Sequence, residues 1–376
     1  MLVIGAGIAG AAAAVRLGRA GITVHLIEKQ PVIGGHINEM GCKATDICQR
    51  CNVCVAGEIL RSVRNTPTIH LHTCTELLEL HKGEDGNRYS AILTHNSSTG
   101  KSGAEKKTGA ALFMPVSNSE EPESGQSTVD VDSIIIATGY EPYNPIENNV
   151  YGYGRVPNVI TGVEAESQLA RQNRITRVTD GKRPERIAFI QCVGSRTEEI
   201  YRRPEDTDYC STVCCSYALR IAQQMKYQAE ESQITIFYMD IQNFGKGFNT
   251  FYNDCKKMMR FVRSRPYEIR TGADGVVVIK YSPENGEDGA GNVVREEFDL
   301  VILAVGIRPP ADGWKLADKL GVVIDKQGFF GLKRASGLPD LQREGIFVVG
   351  ASESPKDIAG SIAQAEAVST FIISNQ

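Results

Sequence analysis

Three features that often reveal a protein's function are missing from this 376-residue sequence. No run approaches the roughly 20 apolar residues that a membrane-spanning helix needs, so we expect no transmembrane segment. No block of lysine and arginine stands out and the net charge is -4, which gives no reason to expect nucleic-acid binding. The N-terminus enters a strand and a glycine loop without an export signal, so we expect a cytoplasmic protein.

The composition is that of a folded protein with unusual sulfur content. The length exceeds the usual size of one domain, and 41% hydrophobic with 23% charged residues is typical of globular proteins, so we expect two domains. The chain contains ten cysteines. Because cytosolic thiols are kept reduced, we interpret them as metal ligands or redox centres rather than as structural disulfides.

The first thirty residues contain a dinucleotide-binding fingerprint. A short strand leads into the loop GAGIAG at 5–10, an alanine-rich helix follows, and a second strand ends at Glu28. Gly5 permits the tight turn, Gly7 lets the backbone approach a pyrophosphate, and Gly10 lets helix and strand pack closely. Glu28 is placed to bind both ribose hydroxyls. The complete order of these parts predicts nucleotide binding rather than an ordinary strand-to-helix turn.

The residues after the acid favour FAD over NAD. Glu28 and Lys29 lead into Gly34 and Gly35, a second loop where the backbone can approach a diphosphate closely. Three later apolar strands end in small residues, at 134–139, 301–306 and 345–350. Such strand ends are expected where a chain crosses between the domains of a disulfide-reductase-type flavoprotein, and their order argues against three unrelated core strands.

These strands predict an α/β protein in which a Rossmann-type FAD domain is split. We expect this domain at 1–150 and 313–376, with a second, nucleotide-binding-like α/β domain inserted at 155–312. Near the C-terminus, a helical segment at 361–369 would direct its positive end toward the flavin and stabilise a reduced, anionic flavin.

Ala351 stands where such flavoproteins usually carry an Asp on the ribityl chain. We predict contacts rather than catalysis from Lys356 and Asp357, and we expect the strand through Thr75 and Leu77 to pass the adenine. The complete set of predicted FAD contacts is Gly5, Gly7, Ile8, Ala9, Gly10, Glu28, Lys29, Gly34, Gly35, Thr75, Leu77, Thr138, Gly139, Gly350, Ala351, Lys356, Asp357 and Ile358.

The second domain carries cysteines where a pyridine-nucleotide loop would stand. The strand at 186–190 is followed by QCVG, without GxGxxG, so the backbone cannot cradle a second pyrophosphate and we do not expect direct use of NAD(P)H. Four thiolates are the usual ligand set of a cubane iron-sulfur cluster, whereas small buried hydrophobes are the alternative from spacing alone. The four thiols are Cys192, Cys210, Cys214 and Cys215.

Several segments of this second domain resemble one family, the A subunits of heterodisulfide reductase. They are QCVGSR at 191–196, Tyr209 to Cys215, IFYMDI at 236–241, FGKG at 244–247 and FVRSRP at 261–266. The similarity extends from Gly5 to the segment at 355–358. The resemblance implies a thioredoxin-reductase-like fold, one FAD and a non-standard [4Fe-4S] cluster on the four cysteines that match Cys192, Cys210, Cys214 and Cys215.

The sequence departs from the long methanogen-type members in two places. Where those members carry ferredoxin-like domains, 96–130 is a polar stretch that we predict to be a flexible insertion. We also expect no terminal ferredoxin module after Gln376. The chain therefore resembles the short form found in the heterodisulfide-reductase-like complex of sulfur-oxidising prokaryotes, which implies chemistry on protein-bound sulfane sulfur or disulfides.

A second cysteine group follows the Gly34-Gly35 loop and is expected near the flavin. Cys42, Cys48, Cys51 and Cys54 include a C-x2-C-x2-C pattern that suits an iron-sulfur cluster. The same positions suit a pair of redox-active thiols, as in disulfide-reductase flavoproteins. Structural or incidental thiols are the third alternative, and the sequence leaves all three open.

The remaining cysteines and the histidines indicate no further site. We interpret Cys74 and Cys255 as core residues. The six histidines show no ligand spacing, although His70 and His72 alternate along one predicted strand.

We therefore predict an FAD- and iron-sulfur-dependent electron-transfer subunit of a heterodisulfide reductase-like complex, acting in sulfur oxidation or in disulfide and thiol chemistry. Homodimerisation is expected because related two-domain flavoproteins pair. One alternative is a stand-alone NAD(P)H-dependent disulfide reductase that uses Cys51 and Cys54. Another is an electron-carrying scaffold subunit that has no activity by itself.

Overall fold

The computed structural model of the chain describes residues 1–83, 88–96, 125–204, 206–284, 292–331 and 343–375. The chain divides into two compact units. Unit 1 comprises Met1–Asn38, Asn52–Glu141 and Pro309–Gln376, and unit 2 comprises Glu39–Cys51 and Pro142–Arg308. These bounds differ from the predicted ones most clearly at Glu39–Cys51, which the sequence places in the first domain. A buried ion pair and several hydrogen bonds tie this segment to unit 2.

The helices and strands alternate along much of the chain. The first elements are β1 (Leu2–Ile4), α1 (Ile8–Arg19), β2 (Val24–Ile27), α2 (Val53–Arg64), β3 (Ile69–His72), β4 (Thr75–Lys82), β5 (Tyr89–His95), β6 (Gly125–Val131), β7 (Ile134–Ile136) and β8 (Glu141–Pro142). Unit 2 continues with β9 (Val159–Thr161), α3 (Gly162–Gln172), β10 (Arg186–Val193), α4 (Cys214–Gln228), β11 (Gln233–Tyr238), α5 (Phe248–Met258), β12 (Arg260–Arg263), β13 (Glu268–Thr271), β14 (Val277–Tyr281), β15 (Val294–Phe298), β16 (Leu300–Val305) and β17 (Ile307–Arg308). The last elements are α6 (Gly313–Leu320), β18 (Ile346–Val348) and α7 (Ile358–Ser374).

A parallel sheet of order β18-β7-β1-β2-β3 forms the centre of unit 1. β1 and β7 are buried along their whole length, as in a parallel sheet with both faces covered. Helix α1 packs against α2 and α7. Its run from Ala11 to Ala14 is fully buried, and these small side chains let the neighbouring helices approach closely.

An antiparallel sheet of order β4-β5-β6 completes unit 1 and corrects one prediction. Residues 97–124 of the predicted flexible insertion lie outside the described residues. The prediction was wrong for 125–130, because these residues belong to β6 and pair along β5. Val129 and Val131 pack against the apolar cluster of this unit. One face of β6 is therefore buried, although the segment is mostly polar.

Unit 2 contains a second parallel sheet, of order β12-β11-β10-β16-β9, and an antiparallel sheet of order β13-β14-β15. Strand β16 is apolar and buried throughout, and β10 is buried from Ile187 onward. Side chains from α3, α4 and α5 join those of the parallel sheet in one apolar cluster. The antiparallel strands share a second apolar cluster with the same parallel sheet. Each unit thus combines a Rossmann-type parallel sheet with helices and a small antiparallel sheet, in agreement with the α/β class that the sequence predicts.

Within the parts of the chain that the structure describes, no helix is both long and apolar enough to cross a membrane.

Candidate functional site

The glycine loop of unit 1 has the backbone geometry of a dinucleotide cradle. Gly5 has φ +100°, and a Cβ atom there would lie 2.5 Å from the carbonyl oxygen of Ala137. A Cβ at Gly10 would lie 1.9 Å from the carbonyl oxygen of Gly5, so close packing excludes any side chain. No atom lies within 4 Å of a Cβ built on Gly7, where α1 begins without a side-chain cap. The space beside a helix N-terminus that a pyrophosphate needs is therefore present.

Glu28 lies at the end of β2 and is held by the loop itself. Its two carboxylate oxygens accept hydrogen bonds from the backbone N–H groups of Ala6 and Gln30, each at 2.9 Å. Burial raises the pKa of Glu28, and these hydrogen bonds oppose that rise. The carboxylate position is therefore set before any ribose binds, while its role as a ribose ligand stays a prediction.

The second glycine loop lies beside the first. Gly34 donates its N–H to the carbonyl of Ala6 at 2.8 Å, and a Cβ on Gly35 would lie 3.7 Å from the Cα of Gly7. Both Gly34 and Gly35 have positive φ. Backbone from two separate loops thus borders the open space at Gly7. The Lys29 side chain is directed toward Asp312, with its Nζ 3.9 Å from a carboxylate oxygen of that residue.

The ends of β7 and β18 meet this region through a serine that sequence reasoning missed. The N–H of Gly139 donates to the Ser352 hydroxyl at 2.8 Å, and the Thr138 hydroxyl lies 3.3 Å from it. Gly350 has φ +71°, and a Cβ there would lie 2.6 Å from Ala9. Ser352 directly follows the predicted contacts Gly350 and Ala351. Its position next to this strand end is the sequence feature that could have identified it.

The predicted contacts at the start of the last helix already have intramolecular partners. Lys356 forms an ion pair with Glu353 and donates to the Ser354 hydroxyl at 2.6 Å. Asp357 caps α7 by accepting from the N–H of Gly360 at 2.7 Å. The helix starts at Ile358 rather than near residue 361, because this cap satisfies its first turn. Whether its positive end faces a flavin stays a prediction.

Thr75 and Leu77 lie on β4 but their side chains turn inward. The Thr75 hydroxyl donates to the carbonyl of Thr73 at 2.8 Å, and the Leu77 side chain is buried in the apolar cluster of unit 1. Only backbone groups of these two residues remain suitable for contact with an adenine. The predicted contacts at Ile8 and Ala9 form the first turn of α1, where backbone N–H groups lack intrahelical partners.

Unit 2 brings the four predicted thiols into one region. Cys192 lies near the end of β10 with φ +58°, at an irregularity in the pairing of β10 with β16. Cys210 lies in the following loop, and Cys214 and Cys215 are the first two residues of α4. Cys192, Cys214 and Cys215 are buried and Cys210 is half-buried. All four therefore lie at the edge of the sheet where parallel strands end.

The loop that carries Cys210 is locked against the end of β16 by small residues. The hydroxyls of Ser195 and Ser211 lie 3.1 Å apart, and the Ser211 hydroxyl accepts from the N–H of Ile307 at 2.8 Å. A Cβ on Gly306 would lie 2.1 Å from the Ser195 hydroxyl. Sequence reasoning missed these serines, because Ser211, which bonds Ser195, has its other partner, Ile307, 96 residues away in the chain.

Electrostatics indicate that the four thiols are close neighbours. Burial raises the pKa of Cys192, raises that of Cys215 to about 12, and raises that of Cys214 well above its ordinary value. The other thiols of the group raise these pKa values further, whereas the guanidinium of Arg196 lowers that of Cys192. Thiolates here therefore need a compensating positive charge, which is what metal ions provide to a thiolate ligand set.

The thiols do not converge on one point. Cys214 Sγ donates to the carbonyl of Val305 at 3.5 Å, and Cys210 Sγ accepts from the N–H of Thr212 at 3.4 Å. Among the described residues, no group of three or more His, Cys, Asp or Glu side chains is arranged to hold a single metal ion. A cubane cluster binds its four thiolates through four different irons, so the donor set suits such a cluster without one common centre.

The second cysteine group is divided between the two units. Cys42 and Cys48 are exposed and Cys51 is half-buried, all within the segment of unit 2 at 39–51. Cys54 is exposed on α2 of unit 1. Cys48 Sγ accepts from the N–H of Arg50 at 3.4 Å. This placement leaves the cluster, redox-thiol and incidental interpretations open.

The two lone cysteines differ from each other. Cys255 lies on α5, fully buried, in the apolar cluster of unit 2, as expected for a core residue. Cys74 is only half-buried and lies in the turn between β3 and β4 with φ +51°. The prediction of a core position was therefore wrong for Cys74, because the turn holds it at the end of the sheet.

Four histidines from separated parts of unit 1 form a cluster that the sequence did not reveal. His25 Nδ1 lies 3.2 Å from His72 Nε2, the rings of His25 and His70 are 5.2 Å apart, and His95 bonds Thr75 and Ser127. Burial, together with the neighbouring histidines, lowers the pKa of His72 to about 4 and lowers that of His25. The pairing of β2 with β3 brings His25 beside His70 and His72, and the ring of His95 on β5 lies 6.2 Å from that of His72, which spacing along the chain cannot show.

Comparison with known proteins identifies relatives over nearly the whole chain. Residues 3–47 match the NAD(P)-binding Rossmann-like domain family. The chain is 30% identical to the A subunit of the H(2):CoB-CoM heterodisulfide,ferredoxin reductase of Methanothermobacter thermautotrophicus, over 97% of this chain and 62% of that protein. It is 32% identical, with the same coverage, to an iron-sulfur A subunit (form 2) of the CoB-CoM heterodisulfide reductase of Methanopyrus kandleri. The chain thus spans less than two thirds of these relatives.

Solved structures with the same architecture confirm the predicted fold. The thioredoxin reductase of T. acidophilum superposes with a TM-score of 0.58 at 15% identity, covering 100% of this chain and 97% of that one. The Lactococcus lactis thioredoxin reductase gives 0.57 at 14% identity, with 100% and 99% coverage. The chain has the thioredoxin-reductase-like fold.

Proposed function

We propose that this chain, a homologue of the A subunit of heterodisulfide reductase over nearly its whole length, is an FAD- and iron-sulfur-dependent electron-transfer subunit. The observation that carries the proposal is the four-thiol group at the strand ends of unit 2. It occupies the position at which a pyridine-nucleotide loop would need glycines, while unit 1 retains an open glycine cradle.

The residues of unit 1 suit FAD in three respects. The glycine loop leaves room beside Gly7 for a diphosphate, Glu28 is pre-positioned for a ribose, and the Gly34-Gly35 loop brings its backbone close to Gly7. The predicted contacts at Thr138, Gly139, Gly350 and Ala351 border the same sheet edge. When bound, FAD supplies two-electron chemistry, and the protein contributes position and local charge.

The residues of unit 2 suit an iron-sulfur cluster. Cys192, Cys210, Cys214 and Cys215 would hold it, and it would supply one-electron chemistry. Arg196 lowers the pKa of Cys192 and is itself fixed by an ion pair with Asp240, so it places one positive charge beside the thiols. Burial of the thiols excludes water, which influences both the thiolate charge and the reduction potential of a bound cluster.

We place this chain in a cytoplasmic heterodisulfide reductase-like complex, as a homodimer with further partner subunits. The names of the relatives identify CoB-CoM heterodisulfide as their substrate. For this chain we propose disulfide or protein-bound sulfane sulfur chemistry, as its resemblance to the heterodisulfide-reductase-like complex of sulfur-oxidising prokaryotes implies. The complex thus belongs to sulfur metabolism.

The test is the iron and acid-labile sulfide content per flavin of protein purified without oxygen. We expect about four irons per FAD in the wild type. They should be lost in the double variant Cys214→Ala, Cys215→Ala and retained in Cys255→Ala, which removes a buried thiol outside the four-thiol group. Flavin content should stay equal in all three proteins.

An iron-free wild type that also fails to take up iron and sulfide would contradict the proposal. Rapid bleaching of the flavin by NAD(P)H in such a protein would favour a stand-alone disulfide reductase using Cys51 and Cys54. Iron and flavin without turnover, until partner subunits are added, would identify the chain as an electron-carrying scaffold.

A further inference from the structure

The segment Glu39–Cys51, here called the cysteine segment, is anchored to unit 2 by a buried ion pair. Lys43 Nζ lies 2.6 Å from a carboxylate oxygen of Glu166 on α3, and both side chains are more than nine-tenths buried. Lys43 also donates to the carbonyl of Gly41 at 2.9 Å. A Cβ on Gly41 would lie 2.9 Å from the backbone nitrogen of Ala170, so the segment runs directly against α3.

Helix α4 holds the same segment by its backbone. Arg220 Nε donates to the carbonyl of Gln49 at 2.9 Å. With its amide oriented to satisfy its neighbours, Gln224 donates to the carbonyls of Lys43 and Ala44, each at 3.0 Å. Arg220 and Gln224 are four residues apart, so they lie on one face of the helix.

Arg220 also connects the segment to the beginning of α4. Its second guanidinium nitrogen donates to the hydroxyl of Ser216, which lies on the same helix face one turn earlier. Ser216 directly follows Cys215 in the chain. The guanidinium of Arg220 therefore bonds the Gln49 carbonyl, which lies between Cys48 and Cys51, and also Ser216 in the first turn of the helix that carries Cys214 and Cys215.

We propose that Arg220 is a positioning residue that couples the two cysteine groups, so that loading of the four-thiol group changes the reactivity of Cys48 and Cys51. The inference rests on the proposed iron-sulfur function. A planar guanidinium with several fixed donors transmits a shift of the first turn of α4 to the Gln49 carbonyl, since both acceptors bind one rigid group.

The test compares alkylation of Cys48 and Cys51 by iodoacetamide, followed by peptide mass spectrometry, in iron- and sulfide-loaded and chelator-stripped full-length protein. In the wild type we expect the two states to differ in rate by about tenfold, the factor associated with one hydrogen bond to a charged group. In Arg220→Gln the difference should vanish, although iron content stays at the wild-type value. Ser216→Ala keeps the bond to Gln49 and should reduce the difference.

Two controls separate coupling from instability. Arg183→Gln removes an arginine that also bonds a backbone carbonyl in unit 2, that of Gln228, and should retain the wild-type difference. Arg220→Lys keeps the positive charge but lacks the several fixed donors of a guanidinium, so it should show only part of the wild-type difference in alkylation rate. If Arg220→Gln does not fold, the Ser216→Ala and Arg220→Lys results decide the question.

Three outcomes are distinguishable. If the wild type takes up no iron, the proposed function fails and this inference fails with it. If iron is taken up and Arg220→Gln keeps the full difference in rates, the coupling is wrong while the proposed function stands. If loading with iron and sulfide still changes the alkylation rates of Cys48 and Cys51 in the double variant Cys214→Ala, Cys215→Ala, iron binds the cysteine segment directly and the coupling is also wrong.

Discussion

The glycine cradle of unit 1 and the four-thiol group of unit 2 lie at the same kind of place, the ends of parallel strands, but are built differently. The cradle is made of backbone from neighbouring loops, and its shape depends on the absence of side chains at Gly5 and Gly10. The thiol group is made of buried side chains from a strand, a loop and a helix start. The first site is therefore complete in the folded chain, whereas the second carries an electrostatic cost that a metal would relieve.

The same contrast extends to how each unit is held together near its site. Around the cradle, backbone N–H groups are the donors: Gly34 donates to the Ala6 carbonyl, Ala6 to the Glu28 carboxylate and Gly139 to the Ser352 hydroxyl. In unit 2, ion pairs join the side chains of distant segments, as Lys43 does with Glu166 and Arg196 with Asp240. Loss of a buried charged side chain should therefore be most damaging at Lys43 in unit 2, whereas an added side chain should be most damaging at Gly5 or Gly10 in unit 1.

The largest effect should follow loss of the buried cation in unit 2. Lys43→Met leaves Glu166 buried without its partner, and we expect the free energy of unfolding to fall by about 3–5 kcal/mol. Urea denaturation measures it. The exposed pair of Lys257 and Asp254 supplies the control, since Lys257→Met should change stability little. If Lys43→Met, Glu166→Leu is no more stable than Lys43→Met alone, the uncompensated charge is not the cause.

The next effect tests the cradle by adding one carbon. In Gly10→Ala the new Cβ would overlap the carbonyl oxygen of Gly5, so we expect a loss of about 3 kcal/mol and of FAD binding. Thermal melting and the FAD-to-protein ratio measure the two effects. Gly7→Ala is the matched control, because its Cβ enters open space and should impair FAD binding with little loss of stability. Equal destabilisation by both substitutions would refute this difference between the two glycines.

A smaller effect concerns pH and the histidine cluster of unit 1. The pKa of His72 falls from 6.5 to about 4 in the folded protein, so the unfolded chain binds more protons between these values. Stability is therefore complete above pH 6.5 and decreases as the pH falls toward 4. After a discount for partial exposure, we expect His72 to account for about 1 kcal/mol of this loss.

The measurement is urea denaturation at several pH values in wild type and His72→Asn. The variant should show a shallower decrease in stability between pH 6.5 and 4. His81 lies on the exposed end of β4, bonded to Glu79, and His81→Asn serves as the control that should retain the wild-type slope. An unchanged slope in His72→Asn would show that other groups determine the acid sensitivity.

An effect of similar size should follow removal of the serine that links the strand ends. Ser352→Ala removes the acceptor for the N–H of Gly139, and we expect a loss of about 1 kcal/mol in stability and somewhat weaker FAD binding. Fluorescence titration of the flavin-free protein with FAD measures the affinity. Ser354→Ala, which alters a neighbouring hydroxyl bonded to Glu353 and Lys356, should leave the affinity unchanged. A larger effect of Ser354→Ala would place the important hydroxyl there instead.

Much of the fold was predictable because its signals are local. The run GAGIAG specifies the turn at Gly5 and the close packing at Gly10 through the backbone alone, and apolar strands such as β16 are recognisable from a few consecutive residues. The bounds of the units were less predictable. The cysteine segment belongs to unit 2 through Lys43 and Glu166, whose pairing joins residues more than a hundred positions apart.

The glycine cradle and the apolar parallel strands follow from the amino-acid sequence, because each depends on residue type and short spacing. The packed fold alone establishes that Ser352 meets Gly139, that four histidines share one surface of unit 1, and that Arg220 bonds both Ser216 and Gln49. These contacts arise from the register of packed strands and helices. Residues far apart in the chain become neighbours there, and no local pattern records that proximity.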